Sequence, residues 1–291
     1  MLRRRFRLAA VLGTVIAGGA VTGFGAQPSA QKTTVASLVA AMRAKAAALE
    51  NAHGMRLAFT AFTSAYRVPQ ERVRYADFVL VRLLYEATRD AGFWNLHWTI
   101  TNREPNSDHI WQQWRDARAP STAVPTASAE CDELSALYAF LAARAGIRRV
   151  GLFWPYANHT VAVWTVGPAG PSETRVVVPT SQIFLTPADT FGTRRFDPWT
   201  QKAIYDYTRR DVPDTYEIPP ALSAFFLAQA DKYAGASDQT LQWLRYLRES
   251  VFLRQRTPDE AARDALRHRD ELRAAPAEDL AALASFAADL R

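Results

Sequence analysis

The residues best suited to chemistry are one cysteine and a histidine that follows it. Cys131, the only cysteine in the chain, lies in the segment 130–137 (ECDELSAL), and His159 lies in the segment 158–164 (NHTVAVW). Nucleophilic thiol catalysis needs such a pair within hydrogen-bond reach, with a third group that holds the imidazole. We therefore treat Cys131 and His159 as a candidate catalytic pair. The alternative for a lone cysteine is a small buried hydrophobic residue.

The position of Cys131 in its element supports the catalytic interpretation. The apolar residues that follow it have helical spacing: Leu134, Leu137, Tyr138, Leu141 and Ala145. Ser128 or Thr126 is expected to cap the start of this helix, and Gly146 is expected to end it. Cys131 then lies in the first turn. There the helix dipole and the unpaired N–H groups favour a thiolate and can face a developing oxyanion.

The residues around Cys131 oppose a second negative charge. Three acidic side chains flank it: Glu130, Asp132 and Glu133. They stabilise the start of a helix but disfavour a thiolate beside them. A neighbouring imidazolium can overcome this effect, and His159 stands at the entrance of a predicted strand.

The remaining elements frame this pair. Upstream, we expect helices over 33–53 (ended by Gly54) and 75–90, a strand over 94–100, a short helix around 110–114 and a linker over 117–129. Downstream, strands are expected over 149–155, 160–166 and 174–179, with a turn over 167–173, followed by helices over 221–233, 239–256, 258–269 and 276–290. The three strands are predicted to form an antiparallel meander.

The first 30 residues have the plan of an export signal. The segment 1–7 carries four arginines, and 8–24 is an uncharged run of 17 residues. We expect a secretory signal over 1–30 and an exported protein, periplasmic or secreted. An uncleaved segment that attaches the protein to the membrane is the alternative. The segment 3–6 (RRRF) also resembles part of a twin-arginine signal. The sequence therefore does not decide between the general secretory route and the twin-arginine route.

Composition limits the partners. The formal charge is +6, and four of the basic residues belong to the predicted signal. The other basic residues alternate with acids, so nucleic-acid binding is not expected. The histidines are scattered along the chain, which predicts no metal site and no cofactor. His97 is interpreted as a solvated or packing histidine. The oligomeric state does not follow from the sequence.

The order of these features resembles the transglutaminase-like core over about residues 128–185. In that family a cysteine opens a helix, a histidine follows on a strand, and an aspartate lies on the next strand, usually in Asp-Pro-Thr. The resemblance implies an α+β fold of transglutaminase-like (papain-like) type, with a helix packed on an antiparallel sheet and with helices flanking it at both ends. It also implies Cys131 as the nucleophile and His159 as the general base and acid.

The chain departs from the family at the third position. Val178-Pro179-Thr180 stands where Asp-Pro-Thr is expected, and a valine cannot accept the imidazole N–H. Gln182 is our candidate for orienting the ring through a neutral hydrogen bond, with Thr180 as an alternative. Asp189 is a further candidate beyond the strand. Asn158 is disfavoured because it adjoins His159.

These features predict a function and a domain plan. After the signal, we expect an α+β domain over 33–215 and a helical extension over 219–291. The resemblance implies a cysteine-dependent amide hydrolase or acyl transferase with a protein or peptide substrate, and hydrolysis is preferred because bacterial proteins of this type are often proteases. The alternatives are an inactive relative that binds proteins or peptides and a papain-like cell-wall hydrolase. The short spacing from Cys131 to His159 disfavours the last.

Overall fold

The fold is described from a computed structural model for residues 33–100, 106–116, 126–156, 159–181, 204–272 and 274–291. Side chains are described for all of these except 116, 155 and 156. The described residues belong to one compact unit, Lys32–Arg291. Within these ranges, no helix is both long enough and apolar enough to cross a bilayer.

Helices surround two small sheets, so the predicted α+β class is confirmed. The described helices are α1 (Val35–Leu49), α2 (His53–Tyr66), α3 (Tyr75–Thr88), α4 (His109–Asp116), α5 (Cys131–Arg144), α6 (Pro220–Tyr233), α7 (Asp238–Phe252), α8 (Pro258–Glu271) and α9 (Ala277–Asp289), with a short 3₁₀ turn at Gln70–Arg72. The strands are β1 (Leu96–Trp98), β2 (Ala127–Ala129), β3 (Val150–Tyr156), β4 (His159–Val166) and β5 (Thr174–Val178).

The predicted meander is present as an antiparallel sheet in the order β3-β4-β5. Its central register pairs Leu152 with Ala162 and Ala162 with Val178. The connection from β4 to β5 contains Gly167 and Gly170 with φ of 83° and 120°, the left-handed region that glycine tolerates best. The turn over 167–173 is therefore confirmed.

The second sheet is smaller, and half of it was not predicted. β1 and β2 pair in parallel, with Leu96 opposite Ala127. The residues of β2 were expected to belong to the linker over 117–129. A strand of three residues has little sequence pattern of its own, so it is recognised only from its pairing with another strand. β2 leads directly into Glu130 and Cys131, so the sheet fixes the approach to α5.

α5 is the central helix. It packs against β4 and β3 on one side and against α3 on another. Ten of its residues are buried, from Glu133 to Ala142. α3 is likewise buried from Phe78 to Thr88, as its continuous apolar sequence predicted. Two buried helices side by side give the start of α5 a rigid support.

Two expected helix boundaries are wrong. Gly54 lies inside α2, whereas α1 already ends at Leu49. The predicted N-cap of α5, Ser128 or Thr126, is also wrong, since Glu130 is the N-cap. Ser128 belongs to β2, and the Thr126 hydroxyl donates to the Asn95 carbonyl oxygen, so both residues serve the second sheet.

The C-terminal helices form close to their predicted bounds and pack on the rest of the unit. α6 contacts α1, α3 and α4, and it also contacts α9. Its apolar face buries Leu222 and Phe226. α7 reaches α3 through an ion pair between Arg245 and Glu86.

Candidate active site

The start of α5 presents Cys131 as the first residue of the helix. The Glu133 carboxylate accepts the backbone N–H of Glu130 at 3.1 Å, and the Glu133 N–H donates to the Asp132 carboxylate at 2.9 Å. Acidic groups at a helix N-terminus satisfy N–H groups and complement the dipole. The acidic flank of the cysteine is thus part of the helix start.

Cys131 is half-buried, and its sulfur lies against the backbone at the start of β4. Burial raises the pKa of the Cys131 thiol, and the backbone N–H of Thr160, which donates to the sulfur, lowers that pKa by a smaller amount. The carboxylates of Asp132 and Glu130 add to the rise, and the Asp132 N–H opposes it. The resting form at neutral pH is the thiol. The effect of the helix start is outweighed by burial and by the acidic neighbours.

His159 is the first residue of β4 and only 4% exposed. Burial lowers its pKa to about 4, so the imidazole is neutral at pH 7. Side chains alternate along a strand, so His159 belongs to the face of Val161 and Val163, away from α5, whereas Thr160 belongs to the face toward it. The structure therefore brings the Cys131 sulfur to the residue next to His159.

The register next to His159 is irregular. The pairing of β3 with β4 shifts between Phe153 and Tyr156, and Tyr156 is the partner of His159. Among the largest influences on the Cys131 thiol are Thr160, Asp132 and Glu130, and the His159 ring is not one of them. The two residues thus rest as a neutral thiol and a neutral imidazole, not as an ion pair.

Ser135 forms a buried polar junction behind Cys131. Its Oγ lies 2.6 Å from the Cys131 carbonyl oxygen, 3.2 Å from the Thr160 carbonyl oxygen and 3.0 Å from the Thr180 Oγ1. The Thr180 carbonyl oxygen in turn accepts the Asp90 N–H at 2.6 Å. Sequence reasoning missed Ser135. The available signal was its position one helical turn after the cysteine.

The third catalytic position stays a prediction. Val178 pairs with Ala162, and its side chain belongs to the apolar core. The Thr180 hydroxyl contacts Ser135. Gln182 lies outside the described residues, as do Asn158 and Asp189.

A second imidazole contacts the first turn of α5. His109 opens α4, and its Nδ1 lies 3.1 Å from the Glu133 Oε1. Glu133 is 1% exposed, so one buried carboxylate accepts from the Glu130 N–H and also meets His109. The contact joins α4 to the start of α5. No local sequence pattern predicts it.

One group in the described part of the chain has the composition of a metal site. Asp90, His97 and Glu249 each offer a ligand atom, and these atoms lie within 4.8 Å of one another. The scattered histidines predicted no such site. His97 is buried and stacks on the ring of Phe252, which agrees with the packing role expected for it.

No family model, curated protein or solved structure matches this chain. The transglutaminase-like resemblance therefore rests on the order of its residues, and what it implies about activity is a proposal.

Proposed function

We propose that this chain is an exported, transglutaminase-like protein that uses Cys131 as a nucleophile on amide carbonyl groups, as a hydrolase or an acyl transferase of proteins or peptides. The observation that carries the proposal is the contact of the Cys131 sulfur with the Thr160 N–H, next to His159. A helix start and a strand start separated along the chain meet at the sulfur. Thiol catalysis requires, in addition, that the imidazole come within hydrogen-bond reach of the sulfur.

The reaction follows from the charge states of the pair. Because thiol and imidazole are both neutral at pH 7, the proton leaves Cys131 during the attack and not before it. A C–S bond forms to the carbonyl carbon as His159 takes the thiol proton. The C–N bond then breaks, and His159 returns the proton to the leaving amine. Water, or a second amine in a transferase, releases the acyl group from the thioester.

The proposed role requires the ring of His159, which is 4% exposed, to change its orientation. Since strand alternation assigns the ring to the face away from α5, the attack needs the imidazole to turn around the end of β4 toward the sulfur. His159 is the terminal residue of that strand and adjoins the irregular β3–β4 register. A rotamer change at a strand end disturbs few backbone hydrogen bonds.

Backbone N–H groups supply electrostatic stabilisation. The N–H groups of Thr160 and Asp132 both point to the Cys131 sulfur. The same groups can hold negative charge on the sulfur as the proton leaves. The N–H of Cys131, at the start of α5, is suited to an oxyanion on the attacked carbonyl.

The proposal is tested by looking for an acyl-enzyme. The full chain without its signal is mixed with 4-nitrophenyl acetate, and its mass and acetylated residue are followed by mass spectrometry. We expect a transient acetyl thioester on Cys131, which Cys131→Ser removes. A thioester that forms no faster than on N-acetylcysteine at the same pH would contradict the proposal. With glycinamide added, an acyl transferase gives the acetylated amine and a hydrolase gives acetate.

The second candidate function is a non-catalytic module that binds a protein or peptide. Three observations favour it: the raised thiol pKa, the lowered imidazole pKa and the valine at Val178. In this case Cys131 behaves as an ordinary thiol in the acylation experiment. Cys131→Ala then leaves every interaction of the protein unchanged, which separates the two functions.

A further inference from the structure

A histidine and two carboxylates converge at a point outside the proposed catalytic pair. Asp90 follows α3, His97 lies in β1, and Glu249 lies in α7. Their ligand atoms lie within 4.8 Å of one another, and the His97 Nδ1 is 3.2 Å from the Glu249 Oε2. Ligands at about 2.1 Å from a tetrahedral Zn²⁺ are about 3.4 Å apart. The nitrogen–oxygen distance therefore fits two ligands of one ion.

The orientation of His97 calls for a positive charge between it and Glu249. The His97 Nε2 lies 3.2 Å from the Asn95 Oδ1. An amide oxygen only accepts, so Nε2 carries a proton, and Nδ1 faces the Glu249 carboxylate. Two acceptors at this distance repel each other unless a cation or a second proton lies between them. Metal-binding histidines commonly donate their other N–H to an oxygen in this way.

Asp90 is also held in place for ligation. The Trp98 backbone N–H donates to the Asp90 Oδ1 at 2.8 Å. The turn between α3 and β1 is tight, because Ala91 and Asn95 both have φ of 54°. This turn folds Asp90 back beside His97. Two carboxylates beside one imidazole are a ligand set that suits a divalent cation.

The cluster has a route to solvent. A cavity of about 520 Å³ is lined by Asn95 and Phe252, among others. The ring of Phe252 stacks on that of His97, with centroids 3.5 Å apart. Asn95 accepts the His97 N–H. The cavity therefore borders two neighbours of His97, and an ion can reach the cluster from solvent at the partly exposed Glu249.

We propose that Asp90, His97 and Glu249 form a Zn²⁺ site with one open position. One imidazole nitrogen and two carboxylate oxygens are ligands that Zn²⁺ accepts, and a catalytic or regulatory zinc commonly has three protein ligands and one exchangeable position. Mg²⁺ prefers oxygen ligands in an octahedral shell, so the imidazole disfavours it. The site links the segment from α3 to β1 with α7, which is distant from it in the sequence.

The test is Zn²⁺ binding to the chelator-treated full chain, measured by titration calorimetry. We expect one site, with the association constant reduced at least tenfold in His97→Gln and in Glu249→Gln. Glu249 is the safer variant for folding, because its side chain is 33% exposed and that of His97 is 2% exposed. The matched control is His268→Gln. His268 faces one carboxylate, Glu271, at 3.7 Å, and we expect wild-type affinity.

The absorption spectrum of bound Co²⁺ gives a second readout. We expect visible ligand-field bands in the wild type and in His268→Gln, and their loss in Glu249→Gln. Absence of Zn²⁺ binding in the wild type, or full affinity in both site variants, would overturn the proposal. The proposed thiol chemistry needs no metal, so its failure and the failure of this site are separate results.

Discussion

Burial sets the charge state of the two residues on which the proposed chemistry depends. It raises the pKa of Cys131 and lowers that of His159 to about 4. A preformed thiolate–imidazolium pair would need the opposite shifts. Under the proposed function, the thiol would therefore ionise only as it reacts, with His159 accepting its proton in that step.

The lowered pKa of His159 predicts a pH-dependent stability. Its folded pKa of about 4 lies below the ordinary value of 6.5, so the unfolded chain binds more protons between these values. The folding stability that depends on a neutral His159 is fully present above pH 6.5 and is lost as the pH falls to 4. We expect the free energy of unfolding to fall more in the wild type than in His159→Gln between these limits, by roughly 1–2 kcal/mol after allowance for solvent screening.

Urea unfolding at a series of pH values measures this difference. Val161→Ala, on the same face of the strand as His159, is the control: it lowers stability at every pH and keeps the wild-type pH dependence. Parallel curves for the wild type and His159→Gln would show that His159 keeps its ordinary pKa in the folded chain.

At the scale of elements, the Ser135 hydroxyl holds α5, β4 and the segment after β5 together. It contacts the carbonyl oxygens of Cys131 and Thr160 and the hydroxyl of Thr180. A network of this kind, buried in a low dielectric, fixes the distance from the helix start to the strand start. The position of Cys131 relative to His159 thus depends on a residue that takes no part in the chemistry.

Ser135→Ala should therefore affect both stability and acylation. The buried Thr160 and Thr180 groups lose a partner, which costs about 1–3 kcal/mol. Acylation of Cys131 by 4-nitrophenyl acetate should slow as well. The matched control is Ser250→Ala in α7, because the hydroxyl of this buried serine donates to the Leu247 carbonyl oxygen of its own helix. Equal effects of both variants on acylation would show that Ser135 has no positioning role.

Some elements were visible in local sequence and others were not. Gly146 marked the end of α5 and has φ of 87°, and the glycines between β4 and β5 marked the turn. β2 was missed because its pairing partner is distant in sequence. The cap at Glu130 was missed because its partner is another acidic residue, Glu133, and serine or threonine is the usual cap.

At the scale of the whole molecule, the C-terminal helices supply charge to the core. Glu86 in α3 is 4% exposed and pairs with Arg245 of α7, with Arg89 also near it. Burial alone raises the pKa of Glu86, but Arg245, Arg89 and Arg82 together hold it below its ordinary value. The positive charges of the buried arginines and the negative charge of Glu86 stabilise one another, although the elements that carry them are far apart in the sequence.

Glu86→Gln should accordingly lower the free energy of unfolding by a large amount. It leaves buried arginines without their carboxylate, and a broken buried pair costs about 3–5 kcal/mol. The control is Glu173→Gln, at the end of the meander, where a more exposed carboxylate contacts Arg149 and Arg175. Thermal unfolding at pH 7 compares the two. A similar small loss for both variants would contradict the structural role of Glu86.

Contacts between residues that are far apart in the sequence are the part of the structure that could not be predicted. The candidate pair of Cys131 and His159 could be predicted because their elements follow one another in the chain. Glu249 lies far from Asp90 and His97 in sequence, so only the packing of α7 on β1 reveals that cluster. The contact of Arg245 with Glu86 was hidden for the same reason.

The central claim is that His159 accepts the proton of Cys131, and the pH dependence of Cys131 acylation tests it most directly. In the wild type, the rate with 4-nitrophenyl acetate should rise as the pH passes about 4, where His159 becomes neutral, and should then level off through neutral pH. In His159→Gln the rate at pH 6 should fall by about 100-fold or more. Superimposable profiles that rise only as the thiol ionises would contradict the account.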